Sequence, residues 1–113
     1  MNKLSSKELD LYSNQILEDY DAKKPSQIFK NKVKVSNEDA LLIQNKVTEL
    51  RVSRGEEIIG YKIGCISKDT QKKMDLSHPA KGTLWKHELH QNGVELNRKD
   101  YSNPAMEAEF GVI

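Results

Sequence analysis

The sequence predicts an α+β chain, because the period of its apolar residues changes near Gly55. Before that point they recur at helical spacing. After it come short β-branched and aromatic runs divided by Gly, Pro and Asn-Gly. The 113 residues fit one domain, and only 36% of them are apolar while 31% are charged. Average domains are about 45–50% apolar, so the core is expected to be thin.

The first helix is signalled by Ser5-Ser6-Lys7-Glu8, a capping box with Ser5 as the N-cap. Leu9, Tyr12, Ile16 and Tyr20 supply its apolar stripe, and Pro25 stops the pattern. A connector without clear period runs from Gln27 to Val35. Ser36 caps the second helix, whose stripe is Ala40, Ile43, Val47 and Leu50, and Gly55 closes it in the left-handed conformation. Glu57 to Ile66 then reads as a buried strand. Its glycines, Gly60 and Gly64, suggest a bend or the close approach of a backbone or ligand. Ser67 caps a short helix to about Met74, and Ser77 to Gly82 reads as a loop. From Thr83 onward the pattern is β. Asn92-Gly93 predicts a hairpin between a strand ending near Gln91 and Val94-Glu95-Leu96, and Met106 to Ile113 reads as a last strand. The division is therefore a helical segment, 1–55, and a β segment, 56–113.

Eighteen basic residues against 17 acidic ones give a net charge of +1, without the basic footprint of a nucleic-acid binder. The longest apolar runs are too short to span a membrane. The polar start lacks the apolar stretch of a secretory signal, and the single Cys65 forms no internal disulfide, so a cytoplasmic protein is expected.

Few residues suggest chemistry. Glu107 and Glu109, two apart in a predicted strand, face one side about 6.5–7 Å apart, a spacing that suits a hard divalent cation. From Glu-x-Glu alone, a solvated acidic face is the commoner outcome. Lys62 lies mid-strand between Gly60 and Gly64, where it meets a substrate carboxylate or reaches solvent from an edge. His87 and His90 are three apart rather than four and do not make the zincin pattern. Cys65 reads as a small hydrophobe and His78 as a loop residue.

Taken in order, these pieces resemble the 2-keto-4-pentenoate hydratase and 4-oxalocrotonate decarboxylase family of the fumarylacetoacetate hydrolase superfamily. Asn37 to Gln44 is similar to its "DAY-x-IQ" helix, and Gly60-Tyr61-Lys62-Ile63-Gly64 to its "G-x-KIG" strand. Gln71, Pro79, Gly82, Thr83 and Leu84 follow the glutamine helix and "P-x-x-GTL". Pro104, Glu107 and Glu109 match "P-x-x-E-x-E".

The resemblance implies N-terminal helices packed beside a mixed β-roll of the fumarylacetoacetate hydrolase type, here incomplete. It implies Glu107 and Glu109 as ligands of Mg²⁺ or Mn²⁺, and Lys62 as the catalytic residue near the substrate carboxylate. The function implied is that of a lyase, hydrating or decarboxylating 2-oxo-dienoate acids such as 2-keto-4-pentenoate in aromatic catabolism. Small 2-keto acids are then the substrates, and homo- or hetero-oligomers the expected assembly. The family completes its metal site with a third acidic ligand further along, and this sequence stops at Ile113 before one. Ala80-Lys81 also stands where the family often has an acidic residue. The competing expectation is a truncated, non-catalytic paralogue that only pairs with a partner subunit.

Overall fold

Three serines start three helices in the computed structural model, which describes residues 3–28, 30 and 33–113. The first two residues of the polar start, and residues 29, 31 and 32 of the connector, lie outside the described residues. Helix α1 (Ser6–Asp21) has the expected capping box. The Glu8 N–H donates to Ser5 Oγ at 3.3 Å, and the Ser5 N–H donates to the Glu8 carboxylate at 2.9 Å. Helix α2 (Asn37–Ser53) is capped by Ser36, and α3 (Lys68–Lys73) by Ser67.

All three helices end alike. After α2, the Glu56 N–H donates to the Arg51 carbonyl and the Gly55 N–H to the Val52 carbonyl, with Gly55 at φ +94°. This left-handed C-terminal motif satisfies carbonyls that the helix itself leaves bare. The same bonds close α1 through Lys23 (φ +55°) and α3 through Asp75 (φ +52°), neither of them a glycine.

The helix stripes are buried in part. Ile43 is buried, Leu9, Tyr12, Ile16, Val47 and Leu50 are half-buried, and Tyr20 and Ala40 remain exposed. Among the described residues the buried apolar ones are Ile28, Ile43 and Trp85, so the periodless connector contributes to the core beside α2 and β2. Ser13, Asp19, Asp39, Arg51 and Gln71 are buried polar residues. Asp39 holds the start of the chain to α2 by accepting from the Leu4 N–H at 3.3 Å. Gln44 ties α2 to the sheet by donating to the Lys81 carbonyl at 2.8 Å.

Strands β1 (Ile58–Gly64) and β2 (Ala80–Trp85) pair antiparallel, with Lys62 opposite Gly82, Tyr61 opposite Thr83 and a register shift between Ile58 and Gly60. Gln71 fixes the corner after β1, its side chain donating to the Cys65 carbonyl at 3.0 Å.

The expected β structure is corrected in three places. The strand begins at Ala80, inside the predicted loop, because β1 offers a pairing edge there. Asn92-Gly93 does turn, with Gly93 at φ +86° and the Val94 N–H bonded to the Gln91 carbonyl at 3.2 Å. No hairpin ladder forms around it, and Lys86–Glu88 is a 3₁₀ turn instead. Met106 to Ile113 is extended without being a strand. A strand needs a partner's backbone, and among the described residues only β1 and β2 are paired. Among the described residues, no helix is long and apolar enough to cross a membrane.

Candidate functional site

Alternation along β1 sets Lys62 on the face opposite Tyr61 and Ile63. Gly60 and Gly64 flank it on its own strand, and Gly82 stands across from it. A Cβ placed on Gly64 or Gly82 would meet nothing within 4 Å. A Cβ on Gly60 would meet the Leu84 side chain at 3.8 Å, so the patch of sheet beside Lys62 is open towards Gly64 and Gly82 and covered at the Gly60 end.

The C-terminal segment reaches this patch. Lys62 Nζ donates to Glu109 Oε1 across 47 positions of sequence, and Glu107 Oε2 lies 3.7 Å from the same nitrogen. The bond to Glu109 comes first among the influences that hold the Lys62 ammonium above the ordinary lysine value. The three residues singled out in the sequence thus meet, although Glu107 and Glu109 sit on an extended segment rather than a strand. The cluster is open to solvent, with side-chain exposures of 42% for Lys62, 74% for Glu107 and 49% for Glu109.

Two carboxylates are chemically suited to Mg²⁺ or Mn²⁺, hard cations that take oxygen ligands. The surroundings fit less well. Among the described residues, no group of three or more His, Cys, Asp or Glu is arranged to hold a metal. The two acids already face an ammonium. These residues alone do not make a complete metal site.

The sequence reading missed a second, more buried cluster. Arg51 lies between the rings of Tyr20 and Trp85, its guanidinium carbon 4.5 and 4.0 Å from their centroids. It donates twice to Glu56, at 2.9 Å each, and once to Glu88 at 3.2 Å. Tyr20 also donates to Glu88. Burial opposes the Arg51 charge, but its bonds to Glu56 and Glu88 leave it above the ordinary arginine value. Bonded by Arg51, against the cost of burial and with help from Arg54, the Glu56 carboxyl falls to about 2. The signal was present, since Arg51 continues the Ile43–Val47 stripe at the next four-residue step. Beside this cluster, Ile16, Ile43, Val47, Thr83 and Trp85 help line a cavity of about 410 Å³ between the helices and β2. Arg51 borders it with Nε and Nη2 already engaged, and Lys62 is not among the residues that line it.

Comparison with known proteins gives a consistent class. The fold is similar to that of 4-oxalocrotonate decarboxylase from Pseudomonas putida G7, complexed with magnesium and adipate. The TM-score is 0.63 at 19% identity, over 76% of this chain and 34% of that one. A second structure of that decarboxylase, complexed with calcium and acetate, gives a TM-score of 0.60 at 20% identity. In sequence, the chain is 27% identical over 79 residues to a 2-oxo-hept-4-ene-1,7-dioate hydratase from Escherichia coli. That match covers 70% of this chain and 30% of the hydratase. No protein-family model matches the chain. The resemblance to the hydratase and decarboxylase family of the fumarylacetoacetate hydrolase superfamily is thus borne out, over a partial region. The chain spans about a third of the length of the relatives it matches.

Proposed function

We propose that this chain is part of a metal-dependent lyase that hydrates or decarboxylates 2-oxo-dienoate acids such as 2-keto-4-pentenoate, in aromatic catabolism. The observation that carries the reading is the meeting of Lys62 with Glu107 and Glu109 beside the open positions of Gly64 and Gly82. On this reading residues 1–55 are a helical support and 56–113 the start of a β-roll. Glu107 and Glu109 are ligands of Mg²⁺ or Mn²⁺. Lys62 neutralises the carboxylate of a 2-oxo acid lying over Gly64 and Gly82. The remaining donors come from another part of the protein or from a partner subunit. Support for the class comes from the hydratase and decarboxylase relatives, and support for a divalent metal from the magnesium and calcium complexes of the decarboxylase.

The 113 residues by themselves are expected to bind Mg²⁺ or Mn²⁺ weakly and to turn over no 2-keto-4-pentenoate. Calorimetric titration and loss of dienoate absorbance check both. Glu107→Gln and Glu109→Gln should each weaken whatever binding is measured. Binding indifferent to both substitutions would remove these residues from the metal site. In a polypeptide that carries this segment together with a complete site, Lys62→Met should lower kcat by on the order of 10²-fold or more. Unchanged turnover there would reject the role given to Lys62.

A further inference from the structure

The contact that assembles the proposed site also works against it. Lys62 Nζ bonds one carboxylate oxygen of Glu109 and stands 3.7 Å from Glu107 Oε2, so a monovalent cation already lies at the meeting point of the two acids. No third acidic side chain among the described residues joins them. Two carboxylates carry a charge of −2, and the ammonium cancels half of it. A divalent cation approaching the pair meets a net charge near −1 and a like charge within bonding distance. Mg²⁺ gives up its waters reluctantly, and a half-neutralised pair of oxygens is a poor reward for doing so.

We infer that Lys62 is a built-in counter-ion that competes with the divalent metal for Glu107 and Glu109, so that metal enters only when the Lys62 side chain swings away. This rests on the reading of the two glutamates as metal ligands and adds a condition to it. The geometry leaves room for that movement. The lysine is 42% exposed, Gly64 and Gly82 beside it present no side chain, and the C-terminal segment that carries the glutamates is itself exposed. A 2-oxo acid is the natural agent of release. Its carboxylate offers Lys62 another anion, which frees Glu107 and Glu109 for the metal. Metal and substrate therefore bind with positive coupling.

The test is Mn²⁺ binding, followed by the loss of the free-ion paramagnetic resonance signal, in the wild-type chain and in Lys62→Met, Lys62→Arg and Lys62→Met/Glu109→Gln. Far-UV circular dichroism checks that each is folded. Lys62→Met should bind Mn²⁺ at least about tenfold more tightly than wild type, because a nearby like charge is gone. Lys62→Arg should stay near wild type, and the double variant should lose the gain. Equal binding by wild type and Lys62→Met, weakened by Glu109→Gln, would overturn the competition while leaving the metal reading intact. No binding by any variant, Lys62→Met included, would likewise overturn the competition. A second readout is the acetylation rate of Lys62, followed by peptide mass mapping. It should rise several-fold in Glu107→Gln/Glu109→Gln, and an unchanged rate would overturn the counter-ion role whatever the metal does.

Discussion

Arg51 shows how one side chain can hold three parts of the chain. It sits in the last turn of α2, bonds Glu56 just beyond the helix and Glu88 after β2, and stacks between Tyr20 of α1 and Trp85 of β2. A planar guanidinium does all of this at once, which a lysine ammonium does not. Removing one partner of a buried ion pair leaves the other uncompensated, at a cost of about 3–5 kcal/mol. Arg51→Ala is expected to lose stability on that order, read as a fall in the urea midpoint. Glu56 supplies a pH dependence. Its carboxyl is lowered from 4.5 to about 2 in the folded chain. A depressed folded value means that its contribution is complete above 4.5 and is lost as pH falls towards 2. Urea melts over that window should show a shallower pH dependence in Glu56→Gln than in wild type.

At the level of elements, the helix ends are the most readable feature. The serines and Gly55 mark boundaries because each answers a local need, a side-chain acceptor for bare N–H groups or a left-handed backbone. Gly55→Ala is expected to cost about 1 kcal/mol, since φ is +94° and no neighbouring atom compensates. Asp75 holds a left-handed conformation that suits glycine better. Asp75→Gly should therefore raise the denaturation midpoint by about 0.5 kcal/mol in free-energy terms. A loss of stability would mean that its carboxylate makes a contribution beyond the turn. The strands were less legible. Their pairing is non-local, and a β-prone run becomes a strand only where a partner edge exists. That is why β2 reaches back to Ala80 while Val94 to Leu96 and Met106 to Ile113 stay unpaired.

The whole molecule is more open than its length requires. Its radius of gyration is 15.5 Å, against about 13 Å for a compact chain of this size. Its accessible surface is 9553 Å², against about 6300 Å² from the usual mass scaling. Every residue from Lys86 to Ile113 is exposed, and Ile63, Ile66, Leu89, Met106 and Phe110 all face solvent. A two-stranded sheet with free edges and so much apolar surface favours association. Sedimentation should reveal concentration-dependent self-association of the purified chain, and Ile63→Lys should reduce it. A strictly monomeric chain at high concentration would count against the exposed face as its cause.

The sequence by itself determined the helices, their caps, the α+β class and the three residues of the candidate site, Lys62, Glu107 and Glu109. Each of these follows from local rules of spacing, capping and charge, or from motifs that occur in order along the chain. Only the tertiary structure decided which β-prone runs paired, and it brought Arg51, Glu56 and Glu88 into one buried network. It also turned Lys62, read from the sequence as meeting a substrate carboxylate, towards Glu107 and Glu109. Those outcomes depend on contacts between residues dozens of positions apart, where the charge or edge that answers a side chain is supplied by folding and not by its neighbours in sequence.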